Sequence, residues 1–448
     1  MTRHVVAFHI SFGLSHMQRI LVIGGGIGGC VVALALKQKG FDPIVYDKFD
    51  LPQQDAPPVT FGNMGGGLSF MSNGLCVLQG LGLLDKVRAL GCNDAVTASF
   101  CTLQGTEYAL FDTVATNVSD PAIQKPCQIM RSRLHDLLLA ELAAAGVPME
   151  LQKKIICVHD DGVHVTAGFD DGTTATGDLL VGADGVHSTV RRLVFGDHVR
   201  SIFTGTVGYV GVAEMSADDV AAWAPFAHLT FMDQAETKRS TSFMRMTCTE
   251  SGSQIMAFRV TETRDQVETD SRDWCMYSDI PKEAMAMAAM AEGWGMPPRS
   301  VALIRRASRL TPASIFEVPT LDKYHRGRVV LVADAAHGMR PDMGQGANFA
   351  LEDAGVLAEL IAASPNDVFR ALAAYSELRQ PRCTTMKDAA RTMSLRKMSR
   401  GPVSAFCNRQ MMRCMSVLSN LGLSALTSTM LKYDYKKVTA EVTPGVQI

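Results

Sequence analysis

The chain has no uninterrupted apolar run of about 18 residues, so no segment is long enough to cross a bilayer as an uncharged helix. It has no surplus of either charge. Against 45 Asp and Glu stand 43 Lys and Arg, a net charge of −2, which excludes the basic footprint of a protein that wraps nucleic acid. The 11 cysteines, an odd number scattered from Cys30 to Cys414, form no C-x-x-C pair, and no histidines cluster at zinc-ligand spacing. They read as reduced, mostly buried thiols in a cytoplasmic compartment, and no metal is expected. There is no fixed-period repeat and no long linker. With 20% charged and 47% hydrophobic residues, the composition also excludes disorder. A length of 448 residues instead allows about three modules, or two with one interrupted by the other. Residues 5 to 14 are apolar behind Arg3, but His9 interrupts them and no small-residue cleavage site follows. Residues 1–18 therefore read as an N-terminal extension rather than a signal peptide.

Three short continuous apolar runs, Ile20 to Ile23, Leu179 to Ala183 and Val329 to Ala333, have the pattern of strands buried on both faces of a parallel sheet. After the first, Cys30 to Lys39 is helical in period and stops at Gly40, and Ile44 to Tyr46 predicts the next strand of a βαβ unit. Between 201 and 315 the texture changes to alternating segments, among them Phe203 to Val212, Ser242 to Cys248 and Gln254 to Val260, which predict antiparallel strands with one wet face. Pro281 ahead of Ala284 to Met290 predicts a short helix. Helical pattern dominates after Ala333. The expected organisation is a first domain over 19–200, an inserted sheet domain over 201–315, the return of the first domain at 316–365 and a helical region over 366–448.

Three motifs carry chemistry. Gly24-Gly25-Gly26-Ile27-Gly28-Gly29 fits G-x-G-x-x-G between a strand and a helix. Gly24 permits the tight turn, Gly26 the approach of backbone to a pyrophosphate, and Gly29 the close packing of a helix whose N-terminus attracts an anion. Asp47, followed by Lys48, closes the next strand where a carboxylate accepts both hydroxyls of a ribose. The second motif, Asp184-Gly185 with Ser188 and Arg191, is by itself a turn after a buried strand. The third is Ala333-Asp334-Ala335-Ala336-His337, then Pro341 and Gly344-Gln345-Gly346-Ala347-Asn348 opening a helix that carries Glu352-Asp353-Ala354. Exposed amides at such a helix start form an anion site.

In this order the motifs resemble the fingerprints of single-component (group A) FAD-dependent aromatic hydroxylases of the para-hydroxybenzoate hydroxylase type. Met64 to Ser69 with Asn73 resembles that family's second glycine-rich strand, Arg131-Ser132-Arg133-Leu134 its R-x-x-L, and Tyr375 to Arg382 with Tyr433-Asp434 its C-terminal helices. The likeness spans roughly residues 19 to 435. It implies an α/β, Rossmann-like, three-layer FAD-binding fold with an inserted antiparallel substrate sheet and C-terminal helices. It also implies cofactor contacts. Gly26, Ile27, Gly28 and Gly29 would hold the FAD pyrophosphate, Asp47 the adenosine ribose, Arg131 the adenosine side, and Asp334 the ribityl or pyrophosphate, with Gly24 and Lys48 also in the cofactor-binding set. Gly67 and Asp184 belong to the same set, and Arg191 either meets the nicotinamide phosphate or forms an ion pair. Gly344, Gly346, Ala347 and Asn348 would face the pyrimidine edge of the flavin, where a helix N-terminus stabilises the anionic reduced ring.

With NAD(P)H and O2 as co-substrates, the resemblance implies a monooxygenase that hydroxylates or epoxidises a small, largely apolar aromatic or polycyclic substrate through a flavin C4a-hydroperoxide. No second G-x-G-x-x-G with Rossmann context appears, because Gly80-Leu81-Gly82 leads to Asp85, so no separate nicotinamide domain is expected. The rivals are an FAD-dependent reductase, cyclase or halogenase on this fold, or a non-catalytic dinucleotide-fold binding protein. Isolated Trp223, Trp274 and Trp294 lack the halogenase W-x-W-x-I-P, and Asp334 with Gly344 to Ala347 serves only a flavin. No catalytic residue is certain. Tyr209 is a candidate for the substrate side of the sheet, and His337 reads as structural. Two departures stand out: Ala333 replaces the family's usual glycine, with tolerance expected, and Val210 occupies a region where fungal polyketide hydroxylases of the family place a phenolate-binding Arg. The methionines Met232, Met244, Met246 and Met256 read as core filling before pocket lining. Val403 to Leu431, with Arg409, Arg413 and Asn420, reads as an amphipathic helix against the body, with peripheral membrane contact as its second reading.

Overall fold

A computed structural model describes the chain except for residues 1–18, 50–65, 224–225, 233–238, 248–253, 264–276, 398–400, 424–430 and 444–448. The N-terminal extension, Met64-Gly65, Cys248 and Trp274 lie outside the described residues.

The buried apolar runs pair as the parallel core of a six-stranded sheet. Its order is His325–Arg326, Val329–Leu331, Leu179–Gly182, Arg19–Ile23, Asp42–Tyr46, Met149–Glu150. Every pair is parallel except the edge pair His325–Arg326 with Val329–Leu331. Ile20, Leu21 and Val22 are fully buried because helices cover one face and a three-stranded meander the other. The meander, Ile155–Asp160, Val165–Phe169 and Thr174–Gly177, seats Phe169 on Tyr46 with ring centroids 4.9 Å apart. The helix Ile27–Gln38 runs against the long helix Gly346–Ala363, so the first and third motifs are joined through one core.

A second, seven-stranded sheet has the order Ala307–Glu317, Ile202–Glu214, Gln254–Thr263, Arg239–Thr247, Phe226–Met232, Thr97–Thr102, Glu107–Asp112. Two of its strands come from before residue 200. Thr97–Thr102 joins it parallel to Phe226–Met232, which the alternation between 201 and 315 did not predict. The strands paired antiparallel set side-chain parity. Tyr209, Gly211 and Ala213 face Val260, Phe258 and Met256, while Val210 and Val212 share the opposite face with Arg259 and Ala257. The helices Ile280–Gly293 and Pro298–Arg305 cover the Tyr209 face. C-terminal helices Val368–Lys397, Pro402–Asn420 and Tyr435–Val442 complete the chain.

Candidate active site

The motif turns leave the carboxyl ends of four neighbouring strands: Ala333-Asp334 after Val329–Leu331, Asp184 after Leu179–Gly182, Gly24 after Arg19–Ile23, and Asp47 after Asp42–Tyr46. Ligands of open α/β sheets bind along this edge. Close approaches knit the turns together. A Cβ on Gly24 would lie 2.4 Å from the Ala183 carbonyl oxygen, and one on Gly29 would lie 1.8 Å from the Gly24 carbonyl oxygen. A Cβ on Gly28 would meet the Ala333 Cβ at 2.8 Å, and one on Gly346 would be 4.0 Å from Asp334 Oδ1. Three segments distant in sequence therefore form one cradle.

The cradle fits a dinucleotide. Gly26, at φ −71° and ψ −179°, has nothing within 4 Å of where a Cβ would stand, and neither does Gly344 at φ +63°. Both expose backbone to open space at a helix start, as a pyrophosphate and an anionic ring require. The Gly25 peptide is clamped on both sides. Its N–H donates to Asp47 Oδ2, and its carbonyl lies 2.7 Å from His135 Nε2 and 3.2 Å from Cys30 Sγ. Burial lowers the His135 pKa, so it meets this carbonyl as a neutral ring. Lys48 and Arg131 are exposed, and the Arg131 N–H donates to the Gly66 carbonyl.

The side chains of four candidate residues are engaged within the protein itself. Arg191 is fully buried, and its Nε, Nη1 and Nη2 donate to the carbonyls of Val199, Ala335 and Val186 at 2.8, 2.8 and 2.7 Å. It pins the second motif to the third. Asn348 is also fully buried. Its Oδ1 accepts from Met71 N–H and its Nδ2 donates to the Ser69 and Gly344 carbonyls, so the side chain braces the cradle. The Asp184 carboxylate accepts from Ser188 Oγ and from the N–H groups of Thr189 and Val190, capping the helix Thr189–Phe195. Tyr209, half-buried, packs against the aromatic core under the outer helices, on the sheet face turned away from the cradle.

Ala333 is one of two non-glycine residues with positive φ among those described, at +54°. An L-residue there carries about 1–2 kcal/mol of strain. Asp353 holds the turn, its Oδ2 accepting the Ala333 N–H at 2.7 Å. Restoring glycine removes this strain but adds about 0.5–1 kcal/mol of backbone entropy. Ala333→Gly is therefore expected to be neutral, or stabilising by up to about 1 kcal/mol in urea unfolding; a loss above that size would refute the strain.

Sequence reasoning missed the buried network beneath the cradle. Asp353 Oδ2 lies 2.6 Å from His337 Nε2, and its Oδ1 accepts from Arg379 Nε at 2.7 Å. Glu352 accepts from Arg379, from Asn73 Nδ2 and, through both oxygens, from Arg382, whose guanidinium lies 3.9 Å from the Tyr433 ring centroid. The Glu-Asp pair in the motif helix and two arginines at helical spacing were visible, but nothing in the sequence joined them. His337, Asp353 and Cys383 are the one potential metal-ligand group among the described residues. The Asp353 oxygens are already engaged by an amide, an imidazole and a guanidinium, so the group reads as a hydrogen-bond network.

Burial alone would pull the His337 pKa down, but Cys383 and the Asp353 carboxylate outweigh it and hold the imidazole up at about 10. Burial alone would raise Asp353, but His337 and Arg379 outweigh it and hold it at about 2. The pair is thus charged across neutral pH. A folded-state value above the unfolded value of about 6.5 gives stability that is complete below that pH and declines as pH rises through 10. The melting temperature is expected to fall between about pH 6.5 and pH 10, with a shallower slope in His337→Gln; parallel curves would refute the ion pair.

The model of the FAD-binding-domain family matches residues 17–390. The chain belongs to this family. Among curated relatives, it is 30% identical over 385 residues to 3-amino-4-hydroxybenzoate 2-monooxygenase of Streptomyces cremeus, covering 84% of this chain and 86% of that one. It is 29% identical over 388 residues to FAD-dependent urate hydroxylase of Mycolicibacterium vanbaalenii, covering 84% and 87%. Chloroplastic zeaxanthin epoxidase of Spinacia oleracea is 29% identical over 397 residues, which cover 83% of this chain and 53% of the epoxidase, so the chain spans about half of that relative. Klebsiella pneumoniae HpxO, solved with FAD and uric acid, has the same fold, with a TM-score of 0.73 at 24% identity over 90% of this chain and 97% of that one. The chain is thus an FAD-binding-domain protein whose relatives include FAD-dependent monooxygenases and hydroxylases. Among the described residues no helix is long and apolar enough to cross a membrane.

Proposed function

We propose that the flavoprotein takes electrons from NAD(P)H and one oxygen atom from O2 to hydroxylate or epoxidise a small, largely apolar aromatic or polycyclic molecule, held between the cradle and the inner face of the seven-stranded sheet. The apolar inner face of the sheet, packed against the glycine-rich strand, supports this reading. Met130, Val212, Met246, Ile255 and Ala257 form an apolar cluster with Met244 beside it. A Cβ on Gly67 would meet the sulfurs of Met246 and Met244 at 2.7 and 2.8 Å, and one on Gly66 would meet Val210 at 2.6 Å. Met256, by contrast, fills the core on the outer face. Bound FAD supplies the redox and oxygen chemistry. The chain's own residues orient the substrate and exclude water. His337 is no candidate for a base, because it is buried and committed to Asp353.

Val210 leaves its own position uncharged, yet the residue paired with it across the strands is Arg259, on the same face. Arg259 Nη2 lies 4.0 Å from Asp342, in the turn ahead of Gly344, and its Nε has no hydrogen-bond partner among the described residues. The side chain is placed to draw an electron-rich oxygen of the substrate towards the cradle. A charged hydrogen bond contributes about 1.5–3 kcal/mol. Arg259→Met is accordingly expected to raise KM for hydroxylated substrates by about 10- to 100-fold and to leave substrates without a hydroxyl unaffected. The founding experiment is a screen of phenols, indoles and terpenoid precursors for stimulated NAD(P)H consumption, followed by mass spectrometry for a product with one added oxygen. Equal consumption with and without every candidate, yielding only peroxide, would overturn the reading.

A further inference from the structure

The helix Pro402–Asn420 is built with two faces. On the inner one Ala405, Met412 and Ser416 are buried, and Met412 with Met393 closes over Met232 and Phe100 at the far end of the seven-stranded sheet. Asn420 accepts from the Asp112 N–H and donates to the Leu110 carbonyl, both at 2.9 Å, which fixes the helix end to the edge strand. The outer face is apolar. Val403, Phe406, Val417, Leu418, Leu421 and Leu423 are 76, 56, 58, 47, 66 and 68% exposed. Through Leu421 their spacing is that of one helical stripe, on which Cys407 and Cys414 also stand exposed. An apolar stripe on a surface helix, broken here by Gln410 alone, marks an interaction face.

Charge selects the occupant. From Ala389 to Tyr433 the sequence holds seven Lys or Arg and no Asp or Glu, a local charge of +7 in a chain of net −2, so the remainder carries −9. On the helix itself the cations are Arg409 and Arg413, while Arg391 pairs with Glu317 at 2.8 Å, and two copies of so basic a stretch repel each other. An anionic headgroup layer accepts both the apolar stripe and the cations. We infer that the helix Pro402–Asn420 lies in the interface of an anionic lipid bilayer and docks the flavoprotein there as a peripheral protein. Its inner side packs on the edge strands Thr97–Thr102 and Glu107–Asp112, so this docking sets the enzyme's sheet edge on the membrane surface. The inference stands apart from the substrate reading, since docking is measured without turnover.

Flotation of the full-length, FAD-loaded protein with phosphatidylcholine vesicles containing phosphatidylserine tests it. The expected result is co-flotation that weakens with salt and is at least about tenfold weaker on pure phosphatidylcholine. The triple variant Val417→Ser, Leu418→Ser, Leu421→Ser is expected to keep its bound FAD and melting temperature while vesicle affinity falls by more than about a hundredfold. Arg409→Gln with Arg413→Gln is expected to lose much of the preference for anionic vesicles. No flotation of the native chain, unchanged flotation of the triple variant, or a stable dimer that the triple variant dissociates would overturn the proposal.

Discussion

Asp353→Ala is expected to lower the free energy of unfolding by about 3–5 kcal/mol, the usual cost of removing one partner from a buried ion-pair network. Asp353 is fully buried, as are Arg379 and His337, and its two oxygens serve an imidazole, a guanidinium and the Ala333 N–H. The truncation leaves the His337 imidazolium without its carboxylate and Arg379 with Glu352 as its one carboxylate partner. It also releases the left-handed Ala333 turn that carries Asp334, so FAD retention should fall together with stability. Urea unfolding of the FAD-loaded protein and the flavin content of the purified variant measure both effects. A change below about 1 kcal/mol with full flavin content would show that the network is a bystander. Asp353→Asn, which keeps the shape and one acceptor, should fall between the two.

The second large effect separates folding from binding at a single loop. Gly26→Val is expected to fold with near-native stability and to bind FAD at least about a hundredfold more weakly, leaving a colourless protein. Gly26 has an ordinary extended backbone at the start of its helix, and no protein atom lies within 4 Å of where its Cβ would be. A side chain there meets only the space into which the pyrophosphate must come. Gly29→Ala is the contrasting variant. Its Cβ would fall 1.8 Å from the Gly24 carbonyl oxygen, so strand, turn and helix must all move and stability itself should be lost. Melting curves and flavin absorbance of the two purified variants test the distinction. A yellow Gly26→Val protein would refute the placement of the pyrophosphate.

Much of the cofactor half of the fold is legible in the sequence because its signals are local. A strand buried on both faces must be continuously apolar, as Ile20 to Ile23, Leu179 to Gly182 and Val329 to Leu331 are, and a turn that brings backbone to a phosphate must be glycine-rich. The roles of individual polar side chains were less legible. Arg191, Asn348 and the Asp184 carboxylate sit inside binding motifs, yet each is hydrogen-bonded to the protein's own backbone. A motif records that a residue type is needed, and both bracing and binding produce that need. The two strands from 97 to 112 were missed because joining a distant sheet leaves no local period.

The sequence by itself determined the three buried strands with their motif turns, the positions where only glycine fits and the acid-free basic stretch near the C-terminus, since each follows from backbone sterics or charge along the chain. Only the tertiary structure decided which face of the inserted sheet meets the cradle, that Arg259 rather than Tyr209 stands on it, and that Arg379 and Arg382 neutralise Glu352 and Asp353. These depend on strand register and helix docking. A register shift of one residue turns every side chain to the other face, and the energy that fixes it comes from contacts between residues far apart in the chain.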